Sequence, residues 1–164
     1  MERYKIELKW AFTFAVMTLL WTLVEELGGL HDKHIDRQPV FGAFILVPAV
    51  VIYVMALKAK RKEYGGTFTY KQVFFSGLLL SLFIGLFSIA TSVINLKIIS
   101  PHYLSNAAKH AVATGNVKIE EANQQYAMWG FIISSAIAAV INGIIITAIV
   151  MLFLKDRKQR SLAI

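Results

Sequence analysis

Two adjacent carboxylates, Glu25 and Glu26, are followed within ten residues by His31-Asp32-x-His34-x-Asp36. Imidazole and carboxylate are donors that zinc accepts. Glu25, Glu26, His31 and His34 therefore form a candidate site for a divalent metal, with His102 expected to reach them from a later segment. The competing reading is an ordinary solvated loop. The helical His-Glu-x-x-His signature is absent, and Gly28-Gly29 predicts a flexible turn where a metal site would want a rigid platform. The carboxylate pair, at the end of an apolar stretch, is expected to reach water. His102, Asn106 and His110 share one helix face, but two turns separate the histidines, about 12 Å by helical rise, so they cannot hold one ion directly. The sequence has no cysteine, which excludes thiolate ligands, a cysteine nucleophile and disulfides.

The elements that must position these side chains are membrane spans. Of the 164 residues, 57% are hydrophobic and 16% charged, against about 45–50% and about 25% in an average soluble domain. Mean hydropathy is +0.59. The apolar residues fall in four long runs, 10–27, 40–57, 73–96 and 128–154, each able to cross a hydrocarbon core of about 30 Å as a helix. The expectation is one all-α domain over 1–164, a polytopic membrane protein with four transmembrane helices. No cleavable signal is expected, because the first run ends in Glu25-Glu26 with no small-x-small site.

Charge sets the orientation. Twelve Lys and Arg lie in the N-terminal segment (Arg3, Lys5, Lys9), the loop between the second and third runs, and the C-terminal tail (Lys155, Arg157, Lys158, Arg160). Five lie on the opposite side: Lys33, Arg37, Lys97, Lys109 and Lys118. The positive-inside rule then places both termini in the cytoplasm and all four histidines outside. The net charge of +7 serves topology and contact with anionic lipid, and no nucleic-acid partner is expected.

The long outer segment predicts a short amphipathic helix. Ser100-Pro101 looks like a cap and first turn. Tyr103, Leu104, Ala107, Ala108, Ala111 and Val112 make one apolar face, and Gly115-Asn116 a stop. From Val117 a second helical stretch is expected to run into the fourth span. On the cytoplasmic side, Thr67 or Thr69 is expected to cap the third span, and the Lys58–Lys62 basic run to anchor topology. Pro48 should free the Phe44 carbonyl and bend the second span. Gly77, Ser81 and Gly85 recur every four residues in the third run. The fourth run carries two such stripes, Gly130, Ser134, Ala138 ahead of Asn142, and Ser135, Ala139, Gly143, Thr147. Small residues at this spacing let helices approach closely in lipid, and two stripes imply two neighbours, one of them in another subunit.

The stretches Glu26-Leu27-Gly28-Gly29-Leu30-His31-Asp32, Tyr64 to Gln72, and Pro101-His102-Tyr103-Leu104 resemble, in order and spacing, the bacterial membrane proteins of domain-of-unknown-function family 4199. That resemblance implies four helices in a bacterial inner membrane and supplies no activity. Glu25-Glu26 is also similar to the Glu-Glu-x-x-x-Arg motif of membrane proteases, but Leu30 stands at the arginine position and no intramembrane histidine completes such a site.

Three functional classes follow. The first is a non-enzymatic subunit, scaffold or accessory factor, acting through a homo-oligomer or a membrane partner protein. The second is a small-solute or ion carrier that oligomerises, and the thin mid-span polar inventory argues against it. The third is a membrane enzyme using the outer carboxylates and histidines, for which no complete catalytic set is present.

Overall fold

The computed structural model describes residues 4–66 and 69–154. Arg3, Thr67 and the basic residues of the C-terminal tail, all used in the sequence reading, lie outside them. Every regular element among the described residues is helical. In chain order these are α1 (Lys5–Leu27), a 3₁₀ turn (Ile35–Arg37), α2 (Gln38–Ala43), α3 (Leu46–Glu63) and α4 (Tyr70–Ile94). A π turn (Asn95–Ile99) continues α4, followed by α5 (Tyr103–Ala113), α6 (Ile119–Gln125) and α7 (Met128–Leu154).

Four helical stretches are long and apolar enough to cross a membrane: Lys5–Leu27, Ile35–Glu63, Tyr70–Ile99 and Met128–Leu154. Only 22% to 39% of each apolar stretch is buried within the bundle. Side chains such as Phe12, Leu20, Leu86 and Leu152 point outward, a surface that hydrocarbon covers and water would not. Serine and threonine hydroxyls on these helices, among them Thr18, Thr22, Ser81 and Thr91, donate back to carbonyls three or four residues earlier, which satisfies them without water.

α4 is the central helix, packing most extensively along α7 and then along α1, while α1 also lies against α3. Small residues set the α4–α7 distance. A Cβ on Gly77 would overlap the Thr147 side chain, and one on Gly143 would overlap Tyr53 and Ser81. The third-run stripe and the Gly143–Thr147 stripe therefore face each other in the core. The Gly130, Ser134, Ala138 and Asn142 stripe faces outward.

Local signals are realised in part. Thr69 caps α4 in a reciprocal capping box with Gln72. Gly115 takes φ +72° and ends α5. The bend near Pro48 is a break: α2 ends at Ala43 and α3 starts at Leu46, with the Phe44 carbonyl taken by the Val47 amide at 3.1 Å. The stretch after Val117 does not run into the fourth span, because α6 closes at Gln125 before α7 begins at Met128. The short helix expected after Ser100-Pro101 is present as α5, and its expected apolar face is buried or half-buried.

Candidate functional site

The end of the bundle that carries α5 is organised by the last turn of α1. Gly29, at φ +70°, closes the helix in a Schellman turn. Its amide donates to the Glu26 carbonyl at 2.9 Å, and the Leu30 amide donates to the Glu25 carbonyl at 2.9 Å. The glycine pair thus forms a hydrogen-bonded turn. It folds the chain back so that His31 lies against the side chains of both glutamates.

Both ring nitrogens are then occupied. His31 Nε2 lies 3.3 Å from Glu25 Oε2, and Nδ1 lies 3.1 Å from Glu26 Oε2 and 2.6 Å from Ser100 Oγ. Ser100 in turn donates to Glu26 Oε2 at 2.7 Å. All three partners present oxygen atoms to the ring. Trp21 Nε1 donates to Glu25 Oε1 at 3.1 Å and its ring stacks on Phe41 of α2. A Cβ on Gly42 would lie 3.3 Å from Glu25 Oε1, so a larger residue there would crowd the carboxylate.

The cap helix is tied to the same point. The π turn after α4 ends with the Ser100 amide donating to the Asn95 carbonyl at 2.7 Å, which delivers Ser100 to the cluster. Asn106 Nδ2 donates to the His31 carbonyl at 3.0 Å. The Tyr103 ring packs on His31 with centroids 4.7 Å apart and on Phe131 of α7. Burial first, and then the charge of Glu25 and the Tyr126 phenol, push the Tyr103 phenol above its usual value.

Several expectations are corrected here. Glu25 does not reach water, being 6% exposed, and His31 is no solvated loop residue at 3% exposed. Ser100 is not the helix cap: α5 starts after His102 with no side-chain cap, and the hydroxyl serves Glu26 instead. Of the five residues expected to share a metal, Glu25, Glu26 and His31 are brought together, whereas His34 and His102 are exposed outside the cluster. The carboxylates bracket opposite nitrogens of one ring and do not converge on a point. Among the described residues no three His, Asp or Glu side chains are grouped so as to hold a metal ion.

A second buried ionic group is one that sequence reasoning missed. At the end of the bundle where α1 begins and α3 closes, Lys60 Nζ lies 3.2 Å from Glu7 and 2.7 Å from Glu63, and Ser76 donates to Glu7 at 2.8 Å. By sequence Lys60 is one charge in a basic run. The available signal is its position: it follows Tyr53, Ala56 and Leu57 at helical spacing, on the face of α3 that is buried.

A family model described as "Protein of unknown function (DUF4199)" matches residues 9–156. The chain belongs to that family, as its motifs suggested. No curated protein and no solved structure matches it.

Proposed function

We propose that this DUF4199 member is a non-enzymatic subunit of the bacterial cytoplasmic membrane that pairs with a second copy of itself through the lipid-facing side of α7. Asn142 carries the reading. It lies at the middle of a 27-residue span, faces outward, and makes no hydrogen bond among the described residues. An amide in hydrocarbon with nothing to bond is costly, and a second Asn142 supplies both the donor and the acceptor it lacks. The surrounding surface is self-complementary. Gly130, Ser134 and Ala138 form a groove at four-residue spacing, and exposed Ile133, Ile137, Ile141, Ile145 and Ile149 form a ridge beside it at the same spacing. A ridge seated in the groove of a two-fold partner buries both.

The outer cluster supports the non-enzymatic half of the reading. Its carboxylate and imidazole groups are occupied with one another, and the result is a clasp that holds α5 over the helix ends. The imbalance of twelve Lys and Arg against five supports both termini lying inside.

With no native cysteine, single cysteines report cleanly. Ala138→Cys should form a disulfide-linked dimer on oxidation of isolated membranes, and Leu86→Cys, lipid-facing on α4, should not. Adding Asn142→Leu should abolish the cross-link. Equal cross-linking of both cysteines, or none at Ala138, rules out the pairing. For orientation, Ser105→Cys should react with an impermeant reagent in spheroplasts and Lys62→Cys only after lysis. The reverse pattern overturns the assignment of inside and outside.

A further inference from the structure

A cleft of about 430 Å³ opens beside the buried Glu7–Lys60 pair, between the start of α1, the end of α3 and the first turns of α4. Its two ends differ in chemistry. The floor is polar and already satisfied: Glu7 and Lys60 are 2% and 3% exposed and hold each other, with Ser76 on Glu7 and Glu63 on Lys60. At the mouth stands Lys71, exposed and without an ion pair among the described residues. Lys58, Arg61 and Lys62 lie on the same end of α3 but do not line the cleft, so Lys71 is the cation that a bound headgroup would meet.

From that mouth an apolar wall of Phe75, Leu79 and Leu82 runs along α4. Seven residues of helix cover about 10 Å of depth. Phe75 and Leu82 are 65% and 50% exposed, so the wall is open sideways toward lipid. A polar mouth with an exposed lysine, continued by an apolar track into the bilayer, has the shape of a single phospholipid.

We infer that this cleft is a binding site for an anionic phospholipid of the adjacent leaflet, its phosphate on Lys71 and one acyl chain along Phe75, Leu79 and Leu82. An anionic headgroup is favoured over a zwitterionic one because the headgroup amine of the latter would face the Lys71 ammonium. A soluble phosphate would use the mouth but leave the apolar wall unexplained. The buried group limits how deep the headgroup sits, since Lys60 is already engaged by two carboxylates, Glu7 and Glu63, which leave the floor net negative.

The test uses the full-length protein, delipidated in a mild detergent, with thermal unfolding followed as lipid is added. Phosphatidylglycerol should raise the melting temperature more than phosphatidylcholine with the same chains, and glycerol phosphate should not raise it. Lys71→Gln should weaken the phosphatidylglycerol effect about fivefold in concentration, the worth of one basic residue at an anionic surface. Lys97→Gln, an exposed lysine at the opposite end, should leave it unchanged. Leu79→Trp, which fills the track, should abolish the difference between the two lipids. Equal stabilisation by both lipids, equal loss in the two lysine variants, or full stabilisation by glycerol phosphate would each overturn the assignment. Because Lys71 is exposed, the comparison of the two lysine variants decides the matter even if Leu79→Trp fails to fold.

Discussion

Replacing His31 with alanine tests the clasp most directly. The imidazole is 3% exposed and faces three acceptor atoms, Glu25 Oε2 at 3.3 Å, Glu26 Oε2 at 3.1 Å and Ser100 Oγ at 2.6 Å. Its removal leaves Glu25 buried and short of a partner. Breaking a buried pair from one side costs about 3–5 kcal/mol. Glu26 adds little, because its side chain is 38% exposed and water screens it. Glu25 also keeps the Trp21 donor. The expected loss is therefore near the bottom of that range, about 3 kcal/mol, by equilibrium unfolding in mixed micelles. His34→Ala and His102→Ala, at exposed positions, should each stay within about 0.5 kcal/mol of the parent. The neutral pair Glu25→Gln with His31→Gln should recover most of the loss, because two amides can bond without a buried charge. A double-mutant cycle then isolates the coupling. If His31→Ala is as mild as His34→Ala, or if the double glutamine variant unfolds as easily as His31→Ala, the clasp reasoning is wrong.

Gly143→Ala should destabilise the bundle by about 1–3 kcal/mol, since its Cβ overlaps Tyr53 and Ser81, whereas a Cβ on Gly130 meets only the Gln124 carbonyl at 4.0 Å, so Gly130→Ala should be neutral or slightly stabilising in detergent. Equal unfolding of the two variants would refute the assigned faces of α7. Lys60→Met should cost about 3–5 kcal/mol by stranding Glu7, and adding Glu7→Gln should return most of it; additive losses would show that the pair is not coupled. Tyr103 ionises less readily folded than unfolded, where a phenol titrates near ~10. The stability it contributes is fully present below that value and falls as pH rises through the folded pKa. Alkaline unfolding should therefore be shallower in Tyr103→Phe, and identical pH profiles for the two proteins would refute the shift.

The four spans, the capping box at Thr69-x-x-Gln72 and the stop at Gly115 are all visible in the sequence because their causes are local. A backbone in hydrocarbon must bond to itself, so a long apolar run has one solution. A cap needs only its own next turn. The same is true of the Schellman turn after α1, although a pair of glycines reads as slack by residue type when one of them is in fact a left-handed stop.

What only the tertiary structure decided are contacts between residues far apart in the chain. Ser100 reaches Glu26 across 74 positions and Lys60 reaches Glu7 across 53, so neither partner could be named from spacing. Ser100 also illustrates competition: a good cap residue by type is itself buried, at 1% exposed, and its hydroxyl is satisfied by Glu26 and His31 instead of by a helix start. α7 is the clearest case. Its sequence carries two equivalent small-residue stripes on a helix apolar all round, and a helix whose two surroundings are protein core and lipid has no polar face to betray which side is which. Only the fit of Thr147 over Gly77, and of Tyr53 and Ser81 over Gly143, turned one stripe inward and left the other facing lipid.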